Sequence, residues 1–223
     1  MTNATPQLEK PEAVFFDWDG TLVDTYEFLN QGHCQTLTQL GMEPFKGDEF
    51  KAHFGRPREI LYTEIYGADQ VDRAKELFGD YVSENAHLLS PFEGAEKLLN
   101  TLKDLNIQAG VVSNKHKDFI AREMNNFGWQ KYFDALVGAG EASEDKPSGA
   151  PLRLALDRAK FKGNPSKIWY VGDTESDLKC AADLQCQAVF IKGHHETERL
   201  IKEYKPLLSV TNLSELQSFL VAI

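Results

Sequence analysis

The sequence predicts an α/β fold: a parallel β-sheet covered by helices on both faces, interrupted after its first strand by a wholly helical insertion. Three observations carry that prediction. Short apolar runs recur along the chain, each ending in polar residues. Segments of helical period lie between them. From about Thr25 to Ser90 the alternation stops and only helix-like stretches remain. Strands buried on both faces show as continuous apolar runs, and parallel pairing requires a crossover long enough to hold a helix.

The elements follow in order. Ala13-Val14-Phe15-Phe16 is the first strand. In the insertion, FLNQGHCQTLTQLG, DEFKAHFG, PREILYTEIYG and ADQVDRAKELFGDYVSENAHLL are helical stretches. Gly41, Gly55 and Gly67 fall where helices stop, and Pro57 suits a first helical turn. Pro91-Phe92-Glu93-Gly94 marks the return to the sheet. Beyond it, helices over 94–105, 117–127, 149–160 and 176–182 alternate with strands Ile107 to Val112, Tyr132 to Val137, Lys167 to Val171 and Gln187 to Ile191. TNLSELQSFL closes the chain as a surface helix with a Thr or Ser cap.

Composition narrows the function. A hydrophobic content of 42% with 14 phenylalanines indicates a folded core, and 223 residues suffice for one large domain or a core with an insertion. The formal charge of −10 argues against a nucleic-acid backbone as partner, and it requires a local cation or a metal wherever an anion binds. Three cysteines, Cys34, Cys180 and Cys186, are too few for a disulfide framework and fit a reducing compartment. The opening MTNATPQLEKP has no apolar signal core, and no apolar run is long enough to span a bilayer. A soluble cytoplasmic protein with no membrane partner is expected.

In a parallel sheet, ligands sit beyond the carboxyl ends of the strands. There stand DWDGT, SNK, GAGE and GDTESD. Asp17, just past a buried strand, is held by the sheet as a nucleophile or metal ligand must be, although Asp also favours turns and caps. Asp19 returns to the same side of an extended chain unless the DGT turn rotates it. Two nearby carboxylates can divide roles, one ionised as attacker and one carrying a proton for the leaving group. Unpaired at a desolvated tip they would repel each other, so a cation belongs between them. Thr21 offers a hydroxyl, and Gly20 allows tight curvature. Asp24 either supports the pair or caps the first helix of the insertion.

Ser113, Asn114 and their backbone N–H groups suit phosphate oxygens, or form a plain polar turn. Lys146, in the acid-rich EASEDKPSG, neutralises a phosphate or merely balances Glu144 and Asp145. Pro147 stiffens that loop, and Ser148 suits a helix cap. Asp173 follows Gly172 at a strand tip, with Asp177 four residues on. Thr174-x-x-Asp177 is also a capping box, which explains Asp177 without chemistry but does not explain Asp173. With Asp17 and Asp173 on neighbouring strands, hard oxygen ligands converge, and Mg²⁺ is the expected ion.

Together these motifs resemble the haloacid dehalogenase-like phosphohydrolase superfamily. Asp17-Trp18-Asp19-Gly20-Thr21 is similar to its first motif, Ser113-Asn114 to its second, Lys146-Pro147 to its third and Gly172-Asp173-Thr174-Glu175-Ser176-Asp177 to its fourth. DGTLVDT, the SNK tip and VGDTESD most resemble the phosphoglycolate-phosphatase-like members. The resemblance implies a Rossmann-like core over 1–24 and 91–223, with 25–90 as a helical cap. It implies that Asp17 attacks phosphorus, and that Asp19, its pKa tuned by its surroundings, protonates the leaving oxygen and then activates water. Mg²⁺ would be held by Asp17, the Asp19 carbonyl, Asp173 and, directly or through water, Asp177. Thr21, Ser113, Asn114 and Lys146 would hold the transferring phosphate.

The resemblance implies a small phosphorylated metabolite as substrate, with 2-phosphoglycolate the leading expectation. KAHFGRPREI places Arg56 and Arg58 where they could meet a substrate carboxylate or second phosphate, or form solvated helix ends. Gly55-Arg56-Pro57-Arg58 also resembles a cap segment of β-phosphoglucomutases, so a sugar phosphate, phosphotransfer or pyrophosphate stays open. Leu29 stands where those mutases carry a hinge histidine. Trp18 departs from the family's usual smaller residue and is expected to pack beneath the cap. His194-His195 reads as a solvated loop, and Cys34 as packing. A true dehalogenase would not need Asp19, Lys146 and Asp173 together, and loss of Asp17 or Asp19 would have signalled a non-enzymatic binding or scaffold protein. The oligomeric state is not readable from the chain.

Overall fold

The computed structural model describes residues 8–193 and 197–223. The proposed solvated loop at His194-His195 lies outside the described residues.

Six strands form one wholly parallel sheet: β1 (Ala13–Phe16), β4 (Gln108–Val112), β5 (Ala135–Val137), β6 (Ile168–Gly172), β7 (Gln187–Ile191) and β8 (Leu208–Val210). Their order is β5-β4-β1-β6-β7-β8. The first strand in the chain is therefore internal, with Ala13 opposite Gln108 on one side and Ile168 on the other. Alternation divides β1 between the layers: Val14 and Phe16 join the core on one face, Ala13 and Phe15 the core on the other. All four are fully buried, which is why the strand reads as an unbroken apolar run.

The crossover helices are α4 (Ala95–Asp104), α5 (Lys117–Asn126), α6 (Ala150–Arg158), α7 (Glu175–Leu184) and α8 (Thr197–Tyr204), with α9 (Leu213–Ala222) last. α4 and α9 pack together over the Val14 face. The Ala13 face carries buried residues of α6 and α7, among them Leu152, Ala155, Cys180 and Ala181. Among the described residues no helix is long and apolar enough to cross a membrane.

Two short strands, β2 (Val23–Asp24) and β3 (Ser90–Pro91), pair antiparallel and bracket the helical segment. Between them run α1 (Tyr26–Gln39), α2 (Arg58–Tyr66) and α3 (Val71–Asn85), linked by single 3₁₀ turns. α3 packs on both α1 and α2. Their shared interior is aromatic, with His33 stacked on Phe78 at 4.4 Å between ring centroids and its Nδ1 2.6 Å from the Tyr66 hydroxyl. Burial pushes the His33 pKa down to about 3, so the imidazole is neutral there.

Several expectations need correction. Asp24 is not a cap: it is exposed in the β2–β3 ribbon, and the N-cap position of α1 is Thr25, which makes no side-chain cap bond. DEFKAHFG forms only the 3₁₀ turn Glu49–Ala52. The strand expected from Tyr132 begins at Ala135, because Gln130–Tyr132 is a 3₁₀ turn. α9 is capped by Asn212, whose Oδ1 accepts the Glu215 N–H at 2.9 Å, rather than by Thr or Ser. β8 and α8 add elements beyond those read in the sequence. Trp18 is fully buried against Phe127, Trp129 and Phe133, all of them beyond the helical segment, so it packs in the core and not beneath a cap.

Candidate active site

The tips of β1, β4 and β6, with the loop after β5, converge at the carboxyl edge of the sheet. The Asp17 N–H still donates to the Val171 carbonyl at 2.9 Å, so the last sheet bond fixes the residue that carries the first carboxylate. Asp17 Oδ1 accepts from the Trp18 N–H at 2.7 Å and from Lys146 Nζ at 2.9 Å. Burial pushes the Asp17 pKa up to about 6, against the pull of the Lys146 ammonium and the Ser113 hydroxyl, with the Asp177 carboxylate adding to the rise.

Lys146 resolves the ambiguity of its acid-rich loop. Its side chain is buried, and Nζ lies 2.7 Å from Asp177 Oδ1 as well as 2.9 Å from Asp17 Oδ1. Burial opposes the ammonium, but these two carboxylates outweigh it and hold the pKa above the ordinary lysine value. Glu144 and Asp145 are not its partners. The loop is clamped by Glu141, which accepts from the Gly138 N–H at 2.9 Å and pairs with Arg158 at 3.0 Å and Lys117 at 3.1 Å.

Asp177 does have the capping role: Oδ2 accepts from the Thr174 N–H at 3.0 Å and hydroxyl at 2.6 Å. Oδ1 meanwhile takes Lys146 and, at 3.3 Å, the Tyr170 hydroxyl. One carboxylate therefore serves the helix end and the site together. Asp173 is different. Thr21 Oγ1 donates to its Oδ1 at 3.0 Å, while its buried Oδ2 has no hydrogen-bond partner. Burial, then the Asp177 and Asp17 charges, push its pKa well above the ordinary value.

Oxygens of Asp17, Asp173 and Asp177 lie within 4.8 Å of one another, all buried. Three carboxylates around a single ammonium, with one oxygen left without a partner, form a site short of positive charge, and an all-oxygen donor set suits a hard divalent ion. The residues present fit Mg²⁺. Gly20 belongs to this fit: at φ 77 a Cβ there would stand 2.5 Å from the free Asp173 oxygen.

Two of the expected phosphate contacts are engaged elsewhere. The Thr21 hydroxyl goes to Asp173, as above. The Asn114 amide bonds the Lys146 backbone in both directions, donating to its carbonyl and accepting from its N–H, each at 3.1 Å. It joins two motif loops, while the Ser113 hydroxyl bonds toward Asp17. Asp19 stands apart from Asp17's cation, with Lys115 Nζ 2.9 Å from its Oδ1. Lys115 belongs to the SNK tip but carries no role in the sequence reading, and its second partner, buried Glu123, is not singled out there. The detectable signal was an acid at an apolar helix position, since Ile120, Glu123 and Met124 share the buried face of α5.

Beside Asp17 and Asp19 opens a cavity of about 100 Å³, lined from the helical segment mainly by Phe28, Leu29, Phe54 and Leu61, with Arg56 and Arg58 at its wall. Arg56 is engaged: it pairs with Glu64 at 2.5 Å and donates to the Ala52 carbonyl at 3.1 Å. Arg58 lies 5.3 Å over the Tyr62 ring and forms no ion pair with a carboxylate among the described residues.

This core and these four strand-tip motifs define a family. The model of the haloacid dehalogenase-like hydrolases matches residues 14–191, and the chain belongs to that family. Among its relatives, phosphoglycolate phosphatase of Pseudomonas fluorescens is 27% identical over 92% of this chain and 78% of its own. Pyrophosphatase PpaX of Bacillus velezensis is 26% identical over 92% and 94%. Among solved structures, a haloacid dehalogenase-like family protein of Streptococcus pneumoniae superposes with a TM-score of 0.82 at 21% identity, over 94% of this chain and 98% of that one, and shows the same fold.

Proposed function

We propose that this hydrolase is a Mg²⁺-dependent phosphatase that cleaves a small phosphomonoester through an aspartyl-phosphate on Asp17. The observation that carries the reading is the buried Asp17–Lys146–Asp177 chain beside the unpartnered Asp173 oxygen. Mg²⁺, when bound, would offset the charge of the carboxylates and of the substrate phosphate, held by Asp17, the Asp19 carbonyl and Asp173. Asp177, its oxygens already taken by Lys146 and Thr174, would contribute least directly.

With Oδ1 of Asp17 hydrogen-bonded, attack on phosphorus falls to Oδ2. As the new P–O bond forms and the bond to the leaving oxygen breaks, Asp19 gives that oxygen its proton. Asp19 then takes a proton from water, whose oxygen attacks phosphorus and displaces the Asp17 carboxylate, releasing phosphate and restoring both acids. Lys146 and Ser113 hold the transferring oxygens by charge and hydrogen bonding, which is where most phosphoryl-transfer catalysis resides. The helical segment over 25–90 acts as a cap that keeps solvent from the leaving group.

The cavity supports a compact, anionic leaving group. No carboxylate or amide of the helical segment lines it, which leaves sugar hydroxyls few side-chain acceptors there, whereas Arg58, stacked on Tyr62 but without a carboxylate partner among the described residues, offers a cation to a carboxylate or second phosphate. Phosphoglycolate fits this best. Pyrophosphate is the second reading, supported by the same cation and by the name of one relative. Turnover of p-nitrophenyl phosphate with and without Mg²⁺, by the wild type and Asp17→Asn, tests the reaction. An inert wild type, or full turnover by Asp17→Asn, would refute it. A panel of phosphoglycolate, pyrophosphate, sugar phosphates and nucleoside monophosphates tests the substrate, and preference for a hexose phosphate would reject a small anionic leaving group.

A further inference from the structure

Glu123 presents a puzzle that the reaction above does not absorb. It sits on the buried face of α5, where the residue is 1% exposed, beside the apolar Ile120 and Met124. Its Oε2 accepts from the Trp18 indole N–H at 2.6 Å and from Lys115 Nζ at 2.8 Å, with Nζ also 2.7 Å from Oε1. Lys115, nearly as buried, reaches from there to Asp19 Oδ1 at 2.9 Å. A buried ion pair is seldom more stable than apolar residues of the same volume, so stability alone does not account for an acid in this place.

What the pair provides is geometry. Trp18 lies between the two acids of DWD and is wedged among Phe127, Trp129 and Phe133, so its indole is a fixed anchor. Glu123 holds Lys115 to that anchor. A lysine on a flexible four-carbon stem would otherwise sample many positions beside a lone carboxylate. We propose that Lys115 and Glu123 form a buried strut that fixes the Asp19 carboxylate toward the leaving group, Glu123 being a positioning residue that acts only through Lys115. The proposal rests on the reading of Asp19 as the proton carrier.

The test compares Glu123→Gln, Lys115→Met and the double variant Lys115→Met/Glu123→Leu. The last replaces the ion pair by apolar residues and so avoids leaving a buried charge unpaired. With saturating p-nitrophenyl phosphate and Mg²⁺, kcat is expected to fall about 100-fold in Glu123→Gln and Lys115→Met while KM moves less than about threefold, the loss that a small misplacement of a reacting group produces. The double variant should fall no further than Lys115→Met, because coupled residues are not additive. Wild-type kcat with an altered melting temperature would overturn the strut in favour of a structural pair. Additive losses would overturn the route through Lys115. A crystal structure of the double variant separates the strut from the functional reading: it should show Asp19 displaced. An unmoved Asp19 would overturn the strut, whereas an inert wild type beside a displaced Asp19 would count against the reading alone.

Discussion

Lys146 Nζ and Asp17 Oδ1 stand 2.9 Å apart with both side chains almost wholly out of solvent, at 2% and 7% exposure. At that burial the ammonium is the counter-charge that lets Asp17 and Asp177 coexist. Lys146→Met should destabilise the metal-free protein by about 3–5 kcal/mol, as removal of one partner from a buried pair does. Under the proposed mechanism turnover should fall at least ~100-fold, since that mechanism loses an oriented charge at the transferring phosphate. Urea unfolding in chelator and steady-state kinetics measure the two losses separately.

The same burial gives the metal-free protein a distinctive pH response. Asp17 rises from an ordinary 3.8 to about 6, and Asp173 moves the same way. A raised value means that the native state holds the proton more tightly than the unfolded chain. The resulting stabilisation is complete below about pH 4 and is lost as pH rises through about 6, a fall of about 3 kcal/mol for Asp17. Melting curves in chelator across that range should show the decline, Asp17→Asn should flatten it, and millimolar Mg²⁺ should oppose it.

Glu141 titrates in the opposite sense. Although burial opposes it, hydrogen bonds from Arg158, the Gly138 N–H and Lys117 hold its pKa down at about 2. Its stabilisation is present above its ordinary 4.5 and is lost as pH falls through about 2. After discounting for its partial exposure, Glu141→Gln should cost about 1 kcal/mol near pH 7 and almost nothing near pH 2. Denaturation midpoints at the two pH values decide it.

Arg58 should govern substrate choice more than chemistry. Arg58→Ala is expected to raise KM for phosphoglycolate or pyrophosphate about tenfold or more, the loss of one charge-assisted contact, while kcat for p-nitrophenyl phosphate changes little. Arg56→Ala, already tied to Glu64, should weaken the helical segment instead. Equal effects of both variants on all substrates would reject a specific role for Arg58.

Gly55 touches the sheet side of the site. At φ 76, a Cβ there would lie 2.5 Å from Thr174 Cγ2. Gly55→Ala should lower kcat/KM and cost about 1–2 kcal/mol in backbone strain. Adding Thr174→Ser removes the clashing methyl, keeps the hydroxyl that binds Asp177, and should restore kcat/KM without recovering the strain. Kinetics and melting temperatures of the single and double variants are the check.

The parallel strands were legible because burial on both faces leaves apolar runs that nothing interrupts. β8 was not, since Leu208 and Ser209 are only half-buried at the sheet edge and the run is short. The β2–β3 ribbon has two residues per strand, too few to show a period. The positions of Asp17 and Asp173 followed from the strand-tip rule, whereas Lys146 and Asp177 stayed open between the site and a surface or capping role until the motif resemblance was drawn. The partners of Thr21 and Asn114 did not, because a hydroxyl or amide bonds whatever the fold brings near, and sequence distances of 152 and 32 residues carry no signal. Glu123 was hidden among ordinary helix-surface acids, although its place beside Ile120 and Met124 marked it.

The helical segment leaves and rejoins the chain at a single paired point, with Val23 opposite Pro91 and Asp24 opposite Ser90. To the six-stranded sheet, everything from Thr25 to Leu89 is equivalent to one hairpin turn, and lengthening such a loop adds little closure entropy. The carboxylate cluster at the strand tips and the helical segment that lines the cavity beside it are thus separable along the chain. A lineage could exchange one helical segment for another through that doorway without disturbing a strand or moving a motif, keeping the chemistry while changing the molecule it is applied to.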